Sequence, residues 1–104
     1  MGKKISFAGP SITEKEVAYV TDAVRNGWYE NFDGYIRKLE RAFADYVGVK
    51  YAIATHCCTH ALHLAAAAVG LKVGDEVIVT DFSWVATAYA VSYTGADCVF
   101  VDID

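Results

Sequence analysis

The segment Thr55-His56-Cys57-Cys58-Thr59-His60-Ala61-Leu62-His63 gathers hydroxyl, thiol and imidazole groups in one short stretch. Three chemistries suit it. If it joins a strand to a helix, the free N–H groups of the helix start bind phosphate and the Thr59 hydroxyl adds a donor. The plain counterpart is Thr59 acting only as the helix N-cap. A metal could use His56, Cys57, Cys58, His60 and His63, but helical geometry brings only His60 and His63 near one another, and the familiar zinc spacings are missing. A reactive thiol at Cys58 would have its pKa lowered by the helix start, with a nearby His assisting; its counterpart is a packed, inert cysteine. Neither GxGxxG nor GxxxxGK[ST] occurs, so the dinucleotide and P-loop fingerprints fail.

Further clusters stand apart from this one. Asp81-Phe82-Ser83-Trp84 follows an apolar run, and Trp84 could stack on a planar ring or pack between helix and sheet. Asn26-Gly27-Trp28-Tyr29 opens an aromatic loop to Gly34 that could be a lid, a partner surface, a substrate contact or a staple between helices. Asp102 and Asp104, two apart, would face one side of a strand end. The lysines lie on polar faces, termini or turns, and none sits at a strand tip beside Thr59 or Trp84.

The elements that must position these groups follow from periodicity. Ser11 or Thr13 caps a helix over 13–26, with Glu14 and Glu16 at its positive end and Asn26-Gly27 closing it. Asp33 caps a second helix whose Ile36, Leu39, Phe43, Tyr46 and Val47 share a face, ended by Gly48. The period then changes. Strands are expected at 51–55, 76–80 and 97–101, with helices over 59–69 and 83–93 between them. The order β-α-β-α-β, with runs apolar on both faces, means parallel strands covered by helices. Ligands in such sheets bind beyond the carboxyl ends of the strands, here at His56–His60, Asp81–Trp84 and Asp102–Asp104.

Composition narrows the function classes. With 55% hydrophobic residues and 21% charged, the chain is not disordered. A net charge of −4 argues against a nucleic-acid partner. Residues 51–104 hold one basic residue, Lys72, against six acidic ones, so an anion bound there must be held by backbone dipoles or by basic groups from elsewhere. No apolar run approaches the ~20 residues of a membrane span, and no signal-peptide core precedes Gly9-Pro10. Met1 to Ser6 fits the short myristoylation pattern, which matches often by chance. Three cysteines, two of them adjacent, suit a reducing compartment and a cytoplasmic location. The 104 residues match one domain. Their apolar share is high for that size, as though part of it were buried against something else.

In order and spacing, the chain resembles the N-terminal part of the DegT/StrS-type sugar aminotransferases. The residues that carry the resemblance are Pro10 to Glu16, Gly27-Trp28, Tyr35 to Phe43, Gly48 to Ala52, Cys58-Thr59 with Ala61 to Leu64, Gly74 to Val79, Phe82 to Thr87 and Gly95 to Asp104. The resemblance implies the α/β large domain of a fold type I, pyridoxal-phosphate (PLP) enzyme, of which residues 1–104 are an incomplete N-terminal portion. Residues 1–50 would be a two-helix leader and 51–104 the start of the sheet. Later strands would fill the space between 51–55 and 76–80, which are not expected to be neighbours.

The resemblance also implies roles. Thr59 and the His60 N–H would hold the cofactor phosphate, Cys58 standing beside them where many members have Gly. Trp84 would stack on the pyridine ring, and Gly27-Trp28 would lie near the substrate mouth. The Schiff-base lysine would lie outside these residues, so no catalytic residue is assigned. Glutamate would donate the amino group to a nucleotide-linked keto sugar, in a homodimer engaged in polysaccharide biosynthesis. Two other readings stay open: a small βαβ thiol or metal protein using Cys57 and Cys58 with nearby His, and a non-catalytic binding module.

Overall fold

The computed structural model describes residues 8–103, in two compact units, Met1–Ala52 and Ile53–Asp104. The myristoylation pattern at Met1 to Ser6 and the carboxylate of Asp104 lie outside the described residues.

In the first unit, helix α1 (Glu14–Asn26) starts where Thr13 and Glu16 close a capping box. The Thr13 N–H donates to the Glu16 carboxylate at 2.7 Å, and the Thr13 hydroxyl accepts from the Lys15 N–H at 3.3 Å. Of the two expected caps, then, Thr13 rather than Ser11 does the work. The helix stops at Gly27, whose N–H donates to the Ala23 carbonyl at 2.8 Å. A Cβ at Gly27 would stand 2.5 Å from that carbonyl oxygen, which only glycine avoids.

A 3₁₀ turn, Tyr29–Asn31, leads to α2 (Gly34–Val47). Asp33 occupies the N-cap position of α2 but makes no capping bond there, because its carboxylate pairs with Arg37 one turn along. Gly48, at φ +78, ends α2 in the left-handed conformation that favours glycine. The Tyr35 hydroxyl donates to Asp22 at 2.6 Å and ties α2 to α1. Of α2 only Ala44 is buried; the apolar face predicted for it remains largely in water, with Tyr46 90% exposed.

The second unit contains α3 (Cys58–Ala68), β1 (Glu76–Thr80), α4 (Ala86–Ser92) and β2 (Asp97–Val101). The two strands are parallel, with register from Glu76↔Asp97 to Thr80↔Val101. The Asp97 N–H to the Asp75 carbonyl (2.9 Å) and the Asp81 N–H to the Val101 carbonyl (3.0 Å) extend the ladder at both ends. Val79, Val91 and Ala96 form the core, with Leu71, Val77, Ala88 and Cys98 packed on it. Gly95 turns α4 into β2 at φ +85. These elements bear out the parallel β-α-β frame.

Two expectations about elements need correction. Residues 51–55 form no ladder, because among the described residues β1 and β2 pair only with each other. A strand is defined by a partner, and this segment has none here. The helix expected from Ser83 starts three residues later. Residues 81–83 bend, and the first helical bond runs from the Thr87 N–H to the Trp84 carbonyl at 3.0 Å.

Candidate functional site

Helix α3 begins at an extended Cys57 (φ −160, ψ 168), so Cys57, not Thr59, is its N-cap residue. Thr59 lies inside the first turn. The first intrahelical bond runs from the Ala61 N–H to the Cys57 carbonyl at 3.2 Å. The N–H groups of Cys58, Thr59 and His60 therefore precede any intrahelical acceptor and point out of the helix end. The half-buried Thr59 adds its hydroxyl to this array.

Those donors favour negative charge, and Cys57 reports it. Hydrogen bonding from the His60 N–H, and then from the Thr59 hydroxyl and N–H, holds the Cys57 thiol below the usual thiol pKa. The contact is too loose to count as a side-chain cap. The lowered thiol is thus Cys57, one residue before the Cys58 that the sequence singled out. The same N–H and hydroxyl donors would stabilise an anion placed at this helix end.

The neighbouring imidazoles divide. His60 meets His56 edge to face at 5.9 Å between ring centres, whereas His63 meets Tyr93, the residue that caps the end of α4, edge to face at 5.3 Å. His60 and His63 share α3 at i, i+3 spacing, as expected, but each ring packs against a different neighbour. Among the described residues no three His, Cys, Asp or Glu side chains come together as metal ligands. Cys98 packs its sulfur 3.5 Å from the Ala88 carbonyl.

Trp84 belongs to the bend after β1, and its side chain is not packed between helix and sheet: it is 81% exposed. The bend is held from outside the indole. Ser83 and Thr87 hydroxyls lie 3.2 Å apart, and the Tyr89 N–H bonds the Val85 carbonyl at 3.0 Å. A ring face is therefore free for a planar ligand. Thr59, His60, Cys58 and Trp84 all belong to the second unit; Gly27 and Trp28 belong to the first. There the Trp28 indole N–H donates to the Val24 carbonyl at 2.6 Å, closing the end of α1. Both loop residues thus have local structural work. Asp102 spends one oxygen on the Ile103 N–H at 2.8 Å.

The sequence missed one group of residues here. Asp22, Asn26, Tyr35 and Lys38 border a cavity beside Gly27 and Gly34. Asp22, Asn26 and the pair Tyr35/Lys38 each sit at helical spacing, a signal that reads as an ordinary wet face without the fold.

Free N–H groups at a helix start beyond a parallel β-α-β frame are the setting in which α/β proteins hold phosphorylated ligands. Comparison narrows it: residues 10–104 match the model of the DegT/DnrJ/EryC1/StrS aminotransferase family, and the chain belongs to that family. It is 45% identical over 101 residues to the GDP-perosamine synthase of Caulobacter vibrioides, covering 97% of this chain and 27% of the relative. An aminotransferase from Psychrobacter cryohalolentis superposes with a TM-score of 0.81 at 36% identity, over 91% of this chain and 24% of that one. A GDP-4-keto-6-deoxymannose-3-dehydratase, crystallised with a trapped PLP-glutamate geminal diamine, gives 0.82 at 28% identity, over 97% and 28%. The chain spans about a quarter of the length of these relatives. Among the described residues no helix is long and apolar enough to cross a membrane.

Proposed function

We propose that this chain is the cofactor-holding N-terminal part of a PLP-dependent aminotransferase that moves an amino group from glutamate to a nucleotide-linked keto sugar. The observation that carries the reading is the first turn of α3, in a chain of this family. Its three outward N–H groups and the Thr59 hydroxyl fit the cofactor's phosphate, and no cationic side chain is required. Trp84 offers the ring face against which the pyridine would stack.

The cofactor, when bound, supplies the electron sink that lets nitrogen leave one carbon and join another. The residues of this chain bind and orient. Thr59 and the His60 N–H fix the phosphate, Trp84 sets the plane of the ring, and Cys58 stands beside the phosphate approach. Gly27 and Trp28 shape a loop that would border the substrate entrance. The lysine that bonds the cofactor is not assigned here: Lys15 and Lys38 belong to α1 and α2, Lys50 lies over Tyr51 at 5.0 Å, and Lys72 is in a turn.

GDP-linked substrates and glutamate in the names of similar proteins support the substrate classes. Three free cysteines support a reducing, cytoplasmic setting. The extensive exposed apolar surface suits burial against later strands of a longer chain as well as against a second copy in a homodimer. The test is direct. Full-length protein, PLP, glutamate and a GDP-linked 4-keto-6-deoxyhexose should yield 2-oxoglutarate and an amino sugar in equal amounts by mass spectrometry. A deoxygenated sugar without nitrogen, or no turnover with PLP bound, would overturn the aminotransferase reading.

A further inference from the structure

One carboxylate clasps the two residues that bracket the loop after α1. Asp22 lies one turn before the end of α1, and one of its oxygens accepts from Asn26 Nδ2 at 2.8 Å. The other accepts from the Tyr35 hydroxyl at 2.6 Å. Asn26 is the last residue of α1 and Tyr35 the second of α2, so the loop is gripped at its entry and its exit. The Tyr35 hydroxyl, foremost, and then the Asn26 amide hold Asp22 below its usual pKa, and Asp22 in turn pushes the Tyr35 hydroxyl up. At neutral pH the carboxylate therefore accepts and the hydroxyl donates, the stronger kind of hydrogen bond.

The loop between these two residues is strained. Tyr29 has φ +54, in the left-handed region that a bulky side chain disfavours. Its side chain is 87% exposed, so packing of the ring does not hold it there. A strained residue persists only where its surroundings over-determine the backbone. The Trp28 indole N–H on the Val24 carbonyl fixes the loop's entry. The Asn31 N–H on the Trp28 carbonyl, at 3.0 Å, tightens its middle. The Asp22 clasp fixes the separation of entry and exit, which neither of the other bonds does.

We propose that Asp22 and Tyr35 are positioning residues: their bond holds the 27–33 loop in its strained shape and thereby sets how tightly the sugar substrate is bound, without either residue touching it. The inference rests on the reading of Gly27 and Trp28 as the border of the substrate entrance. Without the clasp, Tyr29 relaxes to a negative φ and the 3₁₀ turn opens. The proposed phosphate cup is built on α3 in the other unit, so cofactor affinity does not follow the clasp. Tyr35→Phe probes the bond cleanly. The Tyr19 ring at 5.8 Å and the Lys38 ammonium at 5.7 Å meet the Tyr35 ring rather than its hydroxyl, so both contacts remain.

The test uses the full-length PLP-loaded protein, its Tyr35→Phe and Asp22→Ala variants and the double variant. Hydrogen-exchange mass spectrometry reads the amides of 27–33, and calorimetry reads binding of a GDP-linked 4-keto-6-deoxyhexose without glutamate. Each single variant should speed loop exchange and weaken sugar-nucleotide binding about 2- to 12-fold, the loss expected of one hydrogen bond. Exchange over 40–47 of α2, and PLP affinity, should stay within about twofold of the parent. The double variant should be no worse than Asp22→Ala, since both substitutions remove the same bond. Unchanged loop exchange overturns the proposal. So does an equal rise over 40–47, which would make the bond a general staple, or faster loop exchange with unchanged sugar binding. A parent that loads PLP but binds no sugar nucleotide refutes the substrate-entrance reading, and the clasp's role with it; a parent that binds it, with variants that bind equally, refutes the clasp alone. Should Asp22→Ala fail to fold, Tyr35→Phe decides by the same two readouts.

Discussion

Replacing Thr59 with Val removes one hydroxyl from the proposed phosphate cup and changes little else. Both side chains are β-branched and have similar helix propensity, so the first turn of α3 should persist. The N–H groups of Cys58, Thr59 and His60 remain, because they belong to the backbone ahead of the Ala61–Cys57 bond. What disappears is one hydrogen bond to a charged group, worth about 1.5–3 kcal/mol. At about 1.4 kcal/mol per decade, PLP should dissociate roughly 10- to 150-fold more readily, without loss of binding altogether. Fluorescence or absorbance titration of the full-length apoprotein measures this, and Thr59→Ser should restore most of the affinity. If Thr59→Val binds PLP within about twofold of the parent while its melting curve is unchanged, the hydroxyl does not touch the phosphate and the cup is wrongly placed.

Other substitutions probe separate parts of the structure. Trp84→Ala should weaken PLP binding by at least about 2- to 12-fold, the stacking term alone being about 0.5–1.5 kcal/mol, and Trp84→Phe should retain most of it. Titration against each variant checks this; equal affinities would remove Trp84 from the site. Thr13→Ala should cost about 1 kcal/mol of stability through the lost cap, read by chemical denaturation. The Thr13 hydroxyl, foremost, holds the Glu16 carboxylate below its ordinary pKa of 4.5. A depressed carboxylate stabilises the folded state above that value and loses its contribution as pH falls through the lower folded one. The penalty of Thr13→Ala should therefore shrink in acid below about pH 4.5 and stay constant at neutral pH. Gly95→Ala forces a left-handed residue, about 1–2 kcal/mol, and brings a Cβ within 2.7 Å of Val73 Cγ2. A clear fall in melting temperature is expected, and an unchanged one would refute the crowded left-handed turn at Gly95.

The frame was legible wherever a local rule decided the outcome. Thr13 ahead of Glu14 and Glu16, the short apolar runs at 76–80 and 97–101, and the glycines at 27, 48 and 95 each act within a few residues. Misreadings arose where the partner was distant. Residues 51–55 look like a strand because their side chains suit one, but a ladder needs a neighbour, and none is present among the described residues. Thr59 looked like an N-cap because threonine often is one. The turn from 55 to 57, held by the Thr55 hydroxyl on the Cys57 carbonyl at 3.0 Å, starts the helix earlier and makes Thr59 part of its first turn. Trp28, read from the sequence as a loop aromatic near the substrate mouth, also closes the end of α1 through its indole N–H on Val24, a contact the spacing did not announce. The cavity beside Gly34 went unread because its polar residues come from two helices, which only the Asp22–Tyr35 bond brings into view.

The pairing of β1 with β2 has a consequence for how the chain folds. Glu76 meets Asp97 and Thr80 meets Val101, so every rung of the ladder closes a loop of only about twenty residues, much of it taken up by α4. Parallel sheets are ordinarily slow to form because their partners are far apart along the chain. Here the search is short, and Val79, Val91 and Ala96 supply the apolar contacts that reward it at once. The stretch from 76 to 101 has the makings of a nucleus, able to form early while a ribosome is still adding residues. The order of synthesis would then set the order of assembly, with the strand pair waiting as a template for whatever next lies against its open edges.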